Sequence, residues 1–248
     1  MIAAYYATVS LLVSATLIVA TPCTTHDDEI GHIRTPVTST TMSTLATASA
    51  AGDEMTIAIT NLYGAQLSLS FGLNAGFPTP LGNPQPTILP DSSSTQYIYP
   101  TGWAGRVGVG PNLNLNSSKI EGSFIVPQNT TVAIPDIDVS YVDGYSVPIT
   151  CSSQGIAVTG CNIELFDLAQ CEDQVDGPVC LNAARFTPDG PPLQFFAPCV
   201  GAAYTFPNDN GANVSNLGSN MISCCIGTSC EAPPRQLPNN MTNSIPPA

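Results

Sequence analysis

Short runs that alternate polar and apolar residues recur from Met55 to Cys151, separated by glycine, proline and asparagine, and none carries the period of an amphipathic helix. Thr56-Ile57-Ala58-Ile59-Thr60 and Gln66-Leu67-Ser68-Leu69-Ser70-Phe71 flank the turn-forming Asn61-Leu62-Tyr63-Gly64. That pattern predicts a β-hairpin with Leu67, Leu69 and Phe71 on one face. Pro78, Pro80, Pro84, Pro86 and Pro90 exclude a long helix or a central strand, so 76–91 is expected as a surface loop. Strands are predicted at Thr95 to Tyr99, Gly105 to Val109, Gly122 to Val126, Val132 to Ile134, and from Asp136 toward the Asp143-Gly144 turn. The expectation is all-β: an antiparallel β-sandwich or barrel, with about 100 residues available to bury a core.

After Cys151 the texture changes. Eight of the nine cysteines fall between Cys151 and Cys230, an even number as in the disulfide framework of a protein made in an oxidising compartment. Zinc is the competing reading, but the two histidines, His26 and His32, lie far upstream. No metal or cofactor is therefore expected. Cys23 is left over, either unpaired or used between chains. Residues 157–168 read as a short helix or a strand running into a turn. The remainder reads as disulfide-stapled loops laid against the sandwich.

The apolar run Val9 to Ala20 suits the core of a secretory signal over residues 1–20, although no Lys or Arg precedes it; an uncleaved anchor is the alternative. Residues 21–52 are rich in Thr, Ser and Ala, offer too little apolar surface to offset ordering entropy, and are expected to be disordered. The folded domain is expected over 53–230, with 53–150 mainly sandwich and 151–230 including the cysteine-rich loops; 231–248 is a disordered tail. Sequons at Asn116, Asn129, Asn213 and Asn240 fit a glycosylated, secreted protein, and a monomer is expected. Eighteen acids against five bases give a net charge of −13. That field disfavours nucleic acid, anionic membrane and polyanions, and leaves neutral or cationic partners.

Three runs, in order, carry a resemblance: Gly102-Trp103-Ala104-Gly105-Arg106; Asp138-Val139-Ser140 to Val142-Asp143-Gly144-Tyr145-Ser146-Val147-Pro148-Ile149; and Phe195-Phe196-Ala197-Pro198-Cys199 to Ala203-Tyr204-Thr205-Phe206. They resemble thaumatin-like proteins, most closely the fungal branch, over about residues 55–210. The resemblance implies a β-sandwich with disulfide-rich loops and a cleft lined by an arginine and acids. Position by position it assigns Arg106, Asp138, Asp143 and Asp209 to that cleft. The family glutamate stands directly before a strand Phe; here Ser123 precedes Phe124, and the nearest acid is Glu121. By the same resemblance Cys151 pairs with Cys224, Cys161 with Cys199, Cys171 with Cys180 and Cys225 with Cys230. The residues alone leave about a hundred connectivities open. The cysteine set is smaller than in the long family members, and the Cys224-Cys225 to Cys230 cluster follows the Phe-Phe run instead of preceding it.

Paired carboxylates hydrolyse a glycosidic bond when one is held protonated and the other is not. Asp138, Asp143 and Glu121 are the candidates, and Trp103, the single tryptophan, is a candidate sugar platform in the cleft. Each has a plainer role. Asp143 suits a β-turn, Asp136 a solvated strand end, Trp103 a core anchor, and Arg106 simple neutralisation of its acidic neighbours, which would depress their pKa values. Asp167, Glu172, Asp173 and Asp176 read as a solvated acidic loop. With both histidines outside the domain, no Ser/His/Asp hydrolase can be assembled. The expectation is a secreted or cell-wall protein that binds neutral wall polysaccharide, a β-1,3-glucan by resemblance, in an acidic cleft, with weak endo-β-1,3-glucanase or antifungal activity as the lesser possibility. The alternative is an effector, defence or inhibitor scaffold that recognises a secreted or host protein through its loops.

Overall fold

The computed structural model describes residues 54–236 except 176, 190 and 191. The expected leader, the Thr/Ser-rich segment, Cys23, both histidines, Asp176, the Asn240 sequon and the tail beyond 236 lie outside the described residues. Strand β1 is Glu54–Asn61, β2 Leu67–Leu73, β3 Thr87–Leu89, β4 Ser94–Pro100, β5 Trp103–Gly110, β6 Ser118–Ile125 and β7 Ile134–Ser140. The second half adds β8 Gly144–Tyr145, β9 Ile149–Ser153, β10 Ile156–Cys161, β11 Gln174–Val175, β12 Val179–Leu181, β13 Val214–Ser215 and β14 Met221–Ile226. The helical turns among the described residues are short 3-10 segments such as Leu165–Asp167. None is long and apolar enough to cross a membrane.

Two sheets bury one common core. One has the order β10-β9-β14-β1-β4, the other β13-β7-β6-β5-β2-β3, and a small third sheet runs β11-β12-β8. Every strand pair is antiparallel except β1 with β14, where the end of the domain lies parallel beside its beginning. Period-two alternation turns Met55, Ile57 and Ile59 inward from β1, Val107 and Val109 from β5, and Ile137 and Val139 from β7, all fully buried. Each such side chain contributes about 1.5–3 kcal/mol of burial.

The expected hairpin does not form. β1 sits between β14 and β4 in one sheet, whereas β2 sits between β5 and β3 in the other. Asn61 accounts for the departure. Its buried amide donates to the carbonyls of Ala65 (2.8 Å), Leu89 (3.0 Å) and Pro90 (3.1 Å), and its Oδ1 accepts from Tyr63 N at 3.0 Å. Those bonds hold the turn to the β3 end of the opposite sheet, so the chain crosses between layers instead of folding back. The proline-rich segment is a loop only as far as Pro86. Thr87–Leu89 then forms an edge strand, a place in a sheet where neighbouring prolines are tolerated. Residues 157–168 resolve into the end of β10 and the 3-10 turn Leu165–Asp167.

Four disulfides join Cys151–Cys224, Cys161–Cys199, Cys171–Cys180 and Cys225–Cys230, the pairs that the resemblance implies. The first links residues directly opposite each other on β9 and β14. The second ties the end of β10 to the 3-10 turn Ala197–Cys199 and so anchors the loop that follows. Such a set belongs to an oxidising compartment, as outside the cell.

Candidate acidic cleft

Strand register builds the site. Gly72 on β2 lies opposite Arg106 on β5, Arg106 opposite Glu121 on β6, and Glu121 opposite Asp138 on β7. Their sequence neighbours Val107, Ile120 and Val139 fill the core, so this row stands on the outer face of the six-stranded sheet. Directly paired residues hold their Cβ atoms about 4.5–5.5 Å apart, which sets the Glu121 and Asp138 carboxyl groups side by side. No shift of the strand is needed to bring Glu121 into the site.

The loops of the second half raise a wall beside this row. Tyr141 N–H donates to the Tyr204 carbonyl and Tyr204 N–H to the Val139 carbonyl, each at 2.8 Å. Buried Asn182 clamps the same corner by donating to the carbonyls of Tyr141 (3.1 Å) and Thr205 (2.7 Å). The result is a cavity of about 310 Å3 lined by Glu121, Asp138, Ser140, Val142, Asp143, Tyr204 and Pro207. Neither the 76–91 segment nor the 224–230 cluster lines it. Two larger cavities carry less chemistry. One of about 520 Å3, along Thr130 to Pro135 and Asn216 to Asn220, has no titratable lining residue; the other, about 410 Å3 around Phe195 and Phe196, has acids only in exposed Glu172 and Asp173.

Asp138 is the group most altered by this surrounding. Its Oδ1 is enclosed and has no hydrogen-bond partner among the described residues. Desolvation, reinforced by the charges of Glu121 and Asp136, pushes its carboxyl well above the usual range. Asp136, two positions back on the same face, is also raised by burial, against the opposing hydrogen bond that Asn213 Nδ2 donates to its Oδ2 at 3.3 Å. The Tyr204 phenol is pushed up to about 12, by burial first and then by Asp138, Asp136, Asp209 and Glu121.

Asp143 is different. Lys119 on β6, a buried residue, meets its Oδ2 at 2.6 Å, while the Asp143 side chain is 45% exposed. Sequence reasoning did not single out Lys119: a lone lysine in an alternating strand reads as solvated, and burial appears only when the 141–143 corner closes over it. Tyr204 and Ser140 were likewise unassigned, being ordinary strand or loop residues until the wall is built.

Three expected cleft residues stand elsewhere. Trp103 is 1% exposed and packs at a tilt against Tyr99 with ring centroids 4.1 Å apart, inside the sandwich, because its position on β5 has inward parity. Arg106 makes no ion pair among the described residues. Its side chain leans over Gly72, the neighbour on β2 without a Cβ, rather than over Glu121. Asp209 is buried and structural: its Oδ2 accepts from Gly201 N (3.2 Å), Thr205 N (3.3 Å) and Thr205 Oγ1 (2.9 Å), which closes the 201–209 loop. Asp136 is half-buried rather than a solvated strand end. Among the sequons, Asn129 is exposed and Asn116 partly so, whereas Asn213 turns its amide inward to Asp136 and has a buried Oδ1. Among the described residues, no group of three His, Cys, Asp or Glu could hold a metal ion.

Fold and site together define an all-β, disulfide-bonded protein with an acidic cleft on the outer face of one sheet. No protein-family model matches the chain, and no curated protein matches it. Among solved structures, the protein elicitor MoHrip2 from Magnaporthe oryzae is similar to 69% of this chain and 98% of its own, at 14% identity and a TM-score of 0.38. At that TM-score the likeness says nothing about activity.

Proposed function

We propose that this is a secreted protein of thaumatin-like type that binds a neutral cell-wall polysaccharide, a β-1,3-glucan, in the acidic cleft. The observation that carries the reading is the paired Glu121 and Asp138 on a walled, open face, with one carboxyl oxygen of Asp138 left unpartnered. Such a pair accepts hydrogen bonds from sugar hydroxyls through Glu121, and Asp138 in its protonated form donates one to a sugar oxygen. The negative surroundings repel polyanionic chains and leave neutral glycans.

The same pair meets the chemical requirement for slow glycoside hydrolysis. Asp138 would protonate the leaving oxygen, and Glu121 would attack the sugar or activate water. Among the described residues no cation offsets the desolvation of Asp138, which Glu121 and Asp136 reinforce. A second reading, recognition of another protein through the loops, is favoured by Phe186, 81% exposed beside the Arg185 guanidinium at 4.8 Å.

The test is retention of the purified, oxidised protein on insoluble β-1,3-glucan, with cellulose and chitin as controls and reducing-end release assayed in the same tubes. Selective retention that weakens about tenfold in Asp138→Asn and Glu121→Gln is expected. Release of sugar lost in both variants adds hydrolysis. Equal retention by variants that fold normally would remove the cleft from the account, and no retention on any glycan would leave the protein-recognition reading.

A further inference from the structure

A second cavity lies at the β2 edge of the six-stranded sheet, away from the acids. β3 pairs only with Leu67 to Leu69 of β2, so the upper half of β2, through Leu73, has no strand on that side. The proline-rich chain passes over this gap, fastened by Asn74 N–H to the Ala104 carbonyl at 3.2 Å and by Leu81 N–H to the Ile98 carbonyl at 2.8 Å. Its prolines cannot complete a ladder. Beneath it remains a cavity of about 220 Å3, whose lining includes Phe71, Thr79, Pro80, Tyr99, Trp103 and Arg106.

Three polar groups of this cavity are donors, and its loop side adds the hydroxyl of Thr79 and the exposed amides of Asn83 and Gln85. Tyr99 and Trp103 are 0% and 1% exposed, and the Tyr99 hydroxyl and Trp103 Nε1 have no hydrogen-bond partner among the described residues. Buried donors without acceptors are costly and uncommon in native structures. The third group is the unpaired guanidinium of Arg106, brought to this edge by leaning over Gly72, where an added Cβ would meet Arg106 Cγ and Nε at 2.8 Å. The chain carries eighteen acids, yet none lines the cavity. An indole N–H, a phenol O–H and a guanidinium together call for acceptor oxygens with negative charge; Phe71, Leu73 and the prolines call for an apolar body.

We propose that this cavity is a binding site for a small monocarboxylate with an apolar body, its carboxylate held by Arg106, Trp103 and Tyr99. The site is separate from the acidic cleft and does not depend on polysaccharide binding. Arg106, which the family pattern assigns to the acids, here serves an anion site on the other side of its strand. The indole provides its own reporter, because Trp103 is the single tryptophan of the chain.

The experiment titrates the purified, oxidised protein with cyclohexanecarboxylate at constant ionic strength, following Trp103 emission and heat by calorimetry. Cyclohexanecarboxamide and inorganic phosphate are titrated in parallel. A saturable change with the carboxylate is expected, with the neutral amide and phosphate each weaker by about tenfold or more. Arg106→Gln, at an exposed position, should weaken the carboxylate by a similar factor. Gly72→Ala should do the same while retaining Arg106, because the new methyl displaces the guanidinium toward Glu121. Absence of saturable emission or heat into the millimolar range would overturn the proposal. So would equal binding of amide or phosphate, or unchanged carboxylate affinity in a normally folded Arg106→Gln.

Discussion

The Lys119–Asp143 contact allows a quantitative test of how the cleft is held together. Lys119 is 4% exposed, so it depends on Asp143 for its counter-charge in a way a surface lysine would not. Asp143→Asn keeps the shape and one acceptor oxygen and removes only the charge. At the observed 2.6 Å, with Asp143 45% exposed, an effective dielectric between about 40 and that of water gives about 1.5–3 kcal/mol. This lies above an exposed pair, about 0–1 kcal/mol, and at or below the cost of breaking a buried one, about 3–5 kcal/mol. For a domain of this size the loss corresponds to a fall in Tm of about 4–8 °C. Thermal unfolding followed by circular dichroism at neutral pH measures it. Added salt should narrow the gap between parent and variant. The double change Lys119→Met with Asp143→Asn should recover most of the loss, since no unpaired charge is left inside. The reasoning is refuted if Asp143→Asn melts within about 1 °C of the parent, or if the double variant is less stable than the single one.

Two further outcomes are expected. Asp138 has a folded pKa above its unfolded one, so the native state binds the extra proton; its contribution is full below the unfolded value and is lost as pH rises from there through the folded value. Asp138→Asn should therefore be more stable than the parent at neutral pH, equal to it at strongly acidic pH, and show a flatter urea-midpoint profile between; an unchanged profile would contradict the burial argument. Among the disulfides, chain-entropy reasoning ranks Cys151–Cys224, which closes 73 residues, above Cys171–Cys180, which closes 9, at about 4.4 against about 2.6 kcal/mol. Paired Cys→Ala variants compared by urea unfolding should show that order, and a reversal would mean that local packing outweighs loop closure.

Much of the secondary structure was legible because alternation is a local property. A strand with one face buried repeats every two residues, and β1 and β7 do so. Proline likewise marked the segment that could not be a central strand. The pairing of those strands was not legible. β1 and β2 look like a hairpin, yet Asn61 sends them into different sheets, and the partner of β1 is β14, more than a hundred and fifty residues away.

The site divides along the same line. The chain by itself determined that Asp136 and Asp138 share a face, that acids outnumber bases, and that eight cysteines crowd one half, because parity, charge and composition need no partner strand. Only the tertiary structure decided that Glu121 stands opposite Asp138, that Lys119 is buried against Asp143, that Asp209 is consumed by its own loop, and that Trp103 and Arg106 belong to another cavity. Parity assigns a side chain to a face but not to a neighbour. Neighbours are set by register and loop closure across distant parts of the chain, and those are fixed by the core as a whole.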